Sequence, residues 1–93
     1  MSENSVAIVT GGSRGVGAAT AKLLSSQGWN VLITCSSSIQ DAETIASQCS
    51  NESAEVIALQ ADVSDNDDCI KTINHAIARW GRIDALVNNA GTT

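Results

Sequence analysis

Residues 9–20 read VTGGSRGVGAAT: four glycines and one arginine lie between the end of an apolar run and the start of a helical pattern. Gly11, Gly15 and Gly17 fall in that turn. Missing side chains there allow a tight change of direction, close approach of a ligand to backbone N–H groups, and close packing of a helix on a strand. Unpaired N–H groups and the positive end of a helix dipole together make a seat for an anion such as a phosphate. A tight turn alone needs a single glycine. Several at useful positions, directly after a strand, favour binding.

The segments on either side of this turn set its context. SVAIVT (5–10), NVLITC (30–35), AEVIALQA (54–61) and IDALVNN (83–89) are short apolar runs. The first two are near-continuous rather than alternating, as strands covered on both faces are. Helical periods lie between them. The first, about 15–27, puts Val16, Ala19 and Leu23 on one expected core face and stops at Gly28. In the second, about 40–50, Ala42, Ile45, Ala46 and Cys49 share a stripe, and in the third, about 66–80, Ile70, Ile73, Ile77 and Trp80 do so. Ser64 or Asp65 is placed to cap the third helix, Asp67 and Asp68 suit its N-terminal dipole, and Asp67 precedes Lys71 by one helical turn. The order β-α-β-α-β-α-β predicts an α/β fold: a doubly wound parallel sheet with right-handed crossovers and helices on both faces. Strand order 3-2-1-4 follows, with the glycine turn at the switch point. The chain has no proline and no repeat or low-complexity tract, so residues 1–93 read as one segment without an internal boundary.

Composition excludes several functions. Five Lys+Arg against ten Asp+Glu give a net charge of -5 with no basic cluster, which removes the electrostatic footprint of nucleic-acid binding. No apolar run approaches a membrane span, and the opening MSENS has neither a secretory nor a transit pattern, so a cytoplasmic location is expected. Cys35, Cys49 and Cys69 are widely spaced, without a C-x-x-C pair or a histidine cluster, and read as buried reduced thiols rather than metal ligands. His75 points to solvent beside Arg79, and Trp29 and Trp80 read as packing residues.

TGGSRGVG (10–17) resembles the T-G-x-x-x-G-x-G cofactor motif of the short-chain dehydrogenase/reductase family, a Rossmann-type fold. Asp62 and Val63 after the third strand, and NNAG (88–91) ending the fourth, fall where that family has its D-V and N-N-A-G motifs. Within the family, GGSRGVG and GRIDALVNNAG are most similar to the 3-oxoacyl-acyl-carrier-protein reductase type. The resemblance implies that Gly11, Gly12, Ser13, Arg14 and Gly15 surround a pyrophosphate and adenosine ribose, with Val16 and Gly17 opening the helix beneath. It implies that Asp62 accepts from the adenine amino group with the Val63 backbone beside it. Asn88, Asn89, Ala90 and Gly91 would line the nicotinamide-side ribose and brace the sheet. Bland alternatives stand beside these roles: Asp62 as a helix-flanking residue, Asn88 and Asn89 as turn formers.

The family's chemistry needs a Ser and a Tyr-x-x-x-Lys set beyond its N-N-A-G motif, and this chain contains no tyrosine. The resemblance therefore implies the cofactor-binding N-terminal half of an oxidoreductase, inactive by itself. With the remainder of such an enzyme it would transfer hydride between a nicotinamide cofactor and a carbonyl or alcohol substrate, commonly as a homo-oligomer. A non-enzymatic nucleotide-binding or interaction module that ends at Thr93 is the alternative.

Cofactor choice follows from the end of the second strand. Enzymes that prefer NAD place a carboxylate there, roughly 20 residues past the glycines, to hold the ribose 2′-OH. Here that place reads TCSSS: Cys35 stands where the acid is expected, Ser36 and Ser37 offer hydroxyls, and the nearest carboxylate, Asp41, falls in the next helix. Arg14 beside a helix N-terminus opposes the dipole unless an anion compensates it, and guanidinium pairs well with phosphate. NADP(H) is expected over NAD(H), with Arg14 and Ser36 as the discriminating contacts.

Overall fold

The structure, a computed structural model, describes residues 4–11, 15–37 and 39–89. The elements run β1 (Val6–Thr10), α1 (Gly15–Ser26), β2 (Asn30–Cys35), α2 (Ile39–Cys49), β3 (Val56–Gln60), α3 (Asn66–Trp80) and β4 (Ala85–Asn88). The four strands form one parallel sheet in the order β3-β2-β1-β4. This is the expected Rossmann-type arrangement, and every strand delivers its C-terminal end to the same rim.

All residues of β1 and β2 are buried, which is why their sequences are near-continuously apolar, with polar residues only at Thr10, Asn30 and Thr34. Alternate side chains feed two cores. Val9, Val31, Ile33, Cys35 and Val56 pack with Ala21 of α1 and with Ala42, Ala46 and Cys49 of α2. On the opposite face Val6, Ile8 and Leu32 pack against Ala76 and Trp80 of α3. Full burial of an Ile or Leu side chain such as Ile8, Leu32 or Ile33 stabilises by about 1.5 to 3 kcal/mol.

Two expected core faces are displaced. On α1 the buried residues are Gly17, Ala21 and Ser25, while Val16 and Leu23 are 70% and 58% exposed and Ala19 is also exposed. On α3 they are Thr72, Ala76 and Trp80, and Ile70, Ile73 and Ile77 are about half exposed. In both helices the residues against the sheet are mostly small, because close approach of helix to strand leaves no room for long side chains. The large apolar residues stand on a flank. The α2 stripe is as expected, with Ala42, Ala46 and Cys49 buried and Ile45 packed beside them. Cys35 and Cys49 are buried thiols, but Cys69 is only half-buried, a correction to the expectation for all three. Trp80 is buried and Trp29 packs partly buried against the core.

Polar groups fix both rims of the sheet, Asp65 at the C-terminal rim, Glu55 and Asp84 at the other. Asp65 caps α3, accepting from the amides of Asp67 and Asp68, so Asp65 rather than Ser64 takes the cap. Glu55, just before β3, accepts from Arg79 Nε at 3.0 Å, from Arg79 Nη2, and from the Trp80 indole at 3.0 Å, which fastens the C-terminal turn of α3. Asp84 accepts from the Val6 amide at 2.7 Å and from Arg82, tying the start of β1 to the segment that enters β4.

Candidate functional site

The C-terminal rim of the sheet brings together four neighbouring strand ends: Thr10 and Gly11 at the end of β1, Cys35 and Ser36 at that of β2, Gln60 to Asp62 at that of β3, and Asn88 and Asn89 at that of β4. At its centre lies Thr10. Its hydroxyl oxygen accepts the backbone N–H of Asn89 at 2.9 Å and lies 3.3 Å from the Val87 carbonyl and 3.2 Å from Asn88 Oδ1. The Asn89 side-chain amide in turn reaches the Gly11 carbonyl at 3.5 Å. The ends of β1 and β4 are thus locked by side-chain bonds that continue the ladder past its last backbone pair.

Gly11 has φ of +69°, a left-handed turn that lifts the chain out of the strand. Gly17, in the first turn of α1, lies so close to this point that an added Cβ would overlap the Gly11 carbonyl oxygen and stand 2.8 Å from Asn89 Nδ2. The N-terminus of α1 therefore seats directly against the end of β1. A helix N-terminus with unpaired N–H groups at the switch point of a parallel sheet is the geometry that accepts a phosphate. A side chain at position 17 would push the helix off the end of β1, so the bare glycine is what lets the N-terminus of α1 sit there.

At the end of β3, Asp62 is exposed, and its Oδ1 accepts from both the Ser64 amide at 2.9 Å and the Ser64 hydroxyl at 2.6 Å. The hydroxyl first, then the amide, holds this carboxyl below its ordinary range. Asp62 is thus a charged acceptor, tied at one oxygen, with its own N–H donating to Asp68 Oδ2 at 2.8 Å. It does not cap α3, because Asp65 does. Val63 is 38% exposed and lines an apolar groove with Thr10, Cys69, Ile73 and Asn88.

After β2, Cys35 is 5% exposed, while Ser36 and Ser37 stand in solvent. The side chain at the place of the expected acid is therefore a buried thiol, and the groups open to a ligand are the serines. Asp41 lies inside α2. Val16 opens α1 with its side chain exposed toward solvent. Gly12, Ser13, Arg14, Ala90 and Gly91, all expected at the site, lie outside the described residues.

Two contributors to the site carry no role in the sequence reading. Thr10 belongs to the quoted motif, and its position directly before Gly11 is the available signal. The role of Gln60, whose side chain donates to the Ser36 carbonyl at 3.2 Å, depends on a neighbour far along the chain, and no local pattern marks it.

Comparison with known proteins agrees with this geometry. Residues 5–93 match the family model described as short chain dehydrogenase. The chain is 39% identical over 89 residues to elsinochrome reductase 1 of Elsinoe fawcettii, covering 96% of this chain and 33% of that protein. It is 40% identical over 88 residues to the 3-oxoacyl-(acyl-carrier-protein) reductase of Synechocystis sp., covering 95% and 36%. Among solved structures, the short-chain dehydrogenase/reductase from Serratia marcescens superposes with a TM-score of 0.85 at 40% identity, covering 91% of this chain and 35% of that one. A short chain dehydrogenase from Bacillus anthracis superposes with a TM-score of 0.85 at 34% identity, covering 92% and 34%. The chain spans about a third of the length of these relatives.

Proposed function

This chain belongs to the short-chain dehydrogenase family, and we propose that it forms the cofactor-binding segment of an NADP(H)-dependent oxidoreductase acting on a carbonyl or alcohol substrate. The bound nicotinamide supplies or accepts the hydride. The residues of this chain hold the cofactor. The N-terminus of α1, brought against Gly11 by the bare Gly17, receives the pyrophosphate, and Arg14 pairs with the ribose 2′-phosphate. Asp62 accepts from the adenine amino group with its free oxygen, while Ser64 keeps it ionised and oriented. Asn88 and Asn89, braced by Thr10, shape the floor on the nicotinamide side. The Asn89 side chain also reaches the Gly11 carbonyl, so it ties the end of β4 to the turn after β1.

The observation that carries the NADP(H) preference is the end of β2. Cys35 is turned into the core and the exposed groups that follow are serine hydroxyls, so no carboxylate stands there to repel a 2′-phosphate or to hold a 2′-hydroxyl. The proton-transfer residues, a Ser and a Tyr-x-x-x-Lys set, belong to the remainder of such an enzyme, as these 93 residues contain no tyrosine. Among the described residues no helix is long and apolar enough to cross a membrane.

The test compares the affinities of NADPH and NADH for the native polypeptide that carries these residues, for wild type and Arg14→Ala, by fluorescence titration. NADPH binds more tightly to wild type, and Arg14→Ala weakens NADPH selectively. Equal affinities in wild type overturn the preference. Equal weakening of both cofactors overturns the assignment of Arg14 to the 2′-phosphate.

A further inference from the structure

We propose that Gln60 is a positioning residue for recognition of the ribose 2′-phosphate, acting through the Ser36–Ser37 peptide; this rests on the NADP(H) reading above. Gln60 ends β3 directly opposite Cys35, the last residue of β2. One step further the Ala61 amide donates to the Cys35 carbonyl at 2.8 Å. The backbone ladder between the two strands stops there, and the chain after Cys35 enters the loop that leads to α2. The Gln60 side chain takes over, with Nε2 donating to the Ser36 carbonyl at 3.2 Å. Only the amide nitrogen can donate to a carbonyl, so this contact fixes which way the side-chain amide lies.

The consequence follows from peptide planarity. In a trans peptide the carbonyl and the next N–H point in opposite directions, and no described peptide is cis. Turning the Ser36 carbonyl toward β3 therefore turns the Ser37 N–H away from β3. β2 lies between β3 and β1, so that direction leads to the β1 side, where Gly11 begins the phosphate seat. Gln60 thus presents a backbone donor, next to the exposed Ser36 and Ser37 hydroxyls, toward the place of the adenosine ribose. A 2′-phosphate has oxygens to accept from such a cluster, whereas a 2′-hydroxyl offers a single oxygen without charge. Without the Gln60 amide the Ser36 carbonyl is left to water and the peptide is free to rotate, so the donor is no longer held in place before binding.

The experiment isolates the extra phosphate. Binding of 2′,5′-ADP and of 5′-AMP is measured by calorimetry on the native polypeptide, for wild type and for Gln60→Met, which keeps side-chain length and removes the donor. Gln60 is exposed, so the substitution leaves the thermal midpoint nearly unchanged. The expected result is a loss of roughly three- to tenfold in affinity for 2′,5′-ADP, the size of one hydrogen bond, with less than about a twofold change for 5′-AMP. Equal loss for both ligands, or no loss for either, overturns the proposal. Wild type that binds the two ligands equally refutes the NADP(H) reading and this proposal with it, whereas a selective wild type whose selectivity survives in Gln60→Met refutes this proposal alone.

Discussion

Thr10 and Thr34 stand side by side in register on β1 and β2, both buried, yet the Thr10 hydroxyl is engaged at every turn while the Thr34 hydroxyl has no hydrogen-bond partner. The same substitution therefore acts in opposite directions at the two positions. Thr10→Val strips the Asn89 amide of its acceptor and costs about 1 to 3 kcal/mol. Thr34→Val replaces an unpaired buried hydroxyl by a methyl of similar shape and gains about 1 kcal/mol. Urea unfolding midpoints of the two variants check this, and Thr10→Ser, which keeps the acceptor, recovers most of the loss. Two midpoints moving the same way would refute the partner assignment.

Gly17→Ala is expected to damage the site more than the fold. The new Cβ meets the Gly11 backbone, which cannot rotate away, and the side-chain amide of Asn89, which can do so only by giving up its contact with the Gly11 carbonyl. Relief requires α1 to slide off the end of β1, at about 1 to 3 kcal/mol of overpacking strain, and the displaced helix N-terminus no longer meets the pyrophosphate. Nucleotide affinity falls at least about tenfold, since 1.4 kcal/mol is one decade. Titration with 5′-AMP and with NADPH reads the effect; unchanged affinity for both would remove Gly17 from the phosphate seat.

Stability should depend on acid through Glu55. Hydrogen bonds from Arg79, then from Trp80, hold its carboxyl below the ordinary 4.5 against the opposing effect of partial burial. A carboxyl depressed in the folded state adds stability that is fully present above its unfolded value and disappears as pH falls through the folded one. Asp84 acts in the same direction, lowered first by Arg82 and then by the Val6 amide. Unfolding midpoints of wild type therefore drop as pH falls below about 4.5, and Glu55→Gln, less stable at neutral pH, shows a shallower acid slope. Equal slopes would show that the Arg79 and Trp80 contacts carry no linkage.

Much of this architecture was readable in advance because the signals were local. β2 and α3 have the expected limits, 30–35 and 66–80, since an unbroken apolar run and a capped amphipathic period each declare themselves within a few residues. The helix faces did not. Apolar periodicity favours the largest side chains, so it selected Val16 and Leu23 on α1 and the three isoleucines of α3, whereas close packing on a sheet selects Gly17, Ala21, Thr72 and Ala76. On α3 the isoleucine flank lies about half a turn from Arg79, which reaches Glu55, and Ile73 and Leu86 of β4 line the same apolar groove. In the site, the glycines and Asp62 were visible as motif letters. The Thr10–Asn89 and Gln60–Ser36 bonds were not, as each joins residues that only the sheet brings together.

The link from Asp84 to the Val6 amide closes a span of 78 residues, and it imposes a schedule on synthesis. Of the four strands, β1 is made before the other three, yet it occupies an interior place in the sheet, between β2, made next, and β4, made after the rest. At 5 to 20 residues per second, about 4 to 16 s separate the appearance of Val6 from that of Asp84. Through that interval β1, the most apolar of the four described strands, has one neighbour at most. A nascent chain in this state is a natural client for a chaperone that shields extended apolar segments, and slowing translation lengthens its exposure.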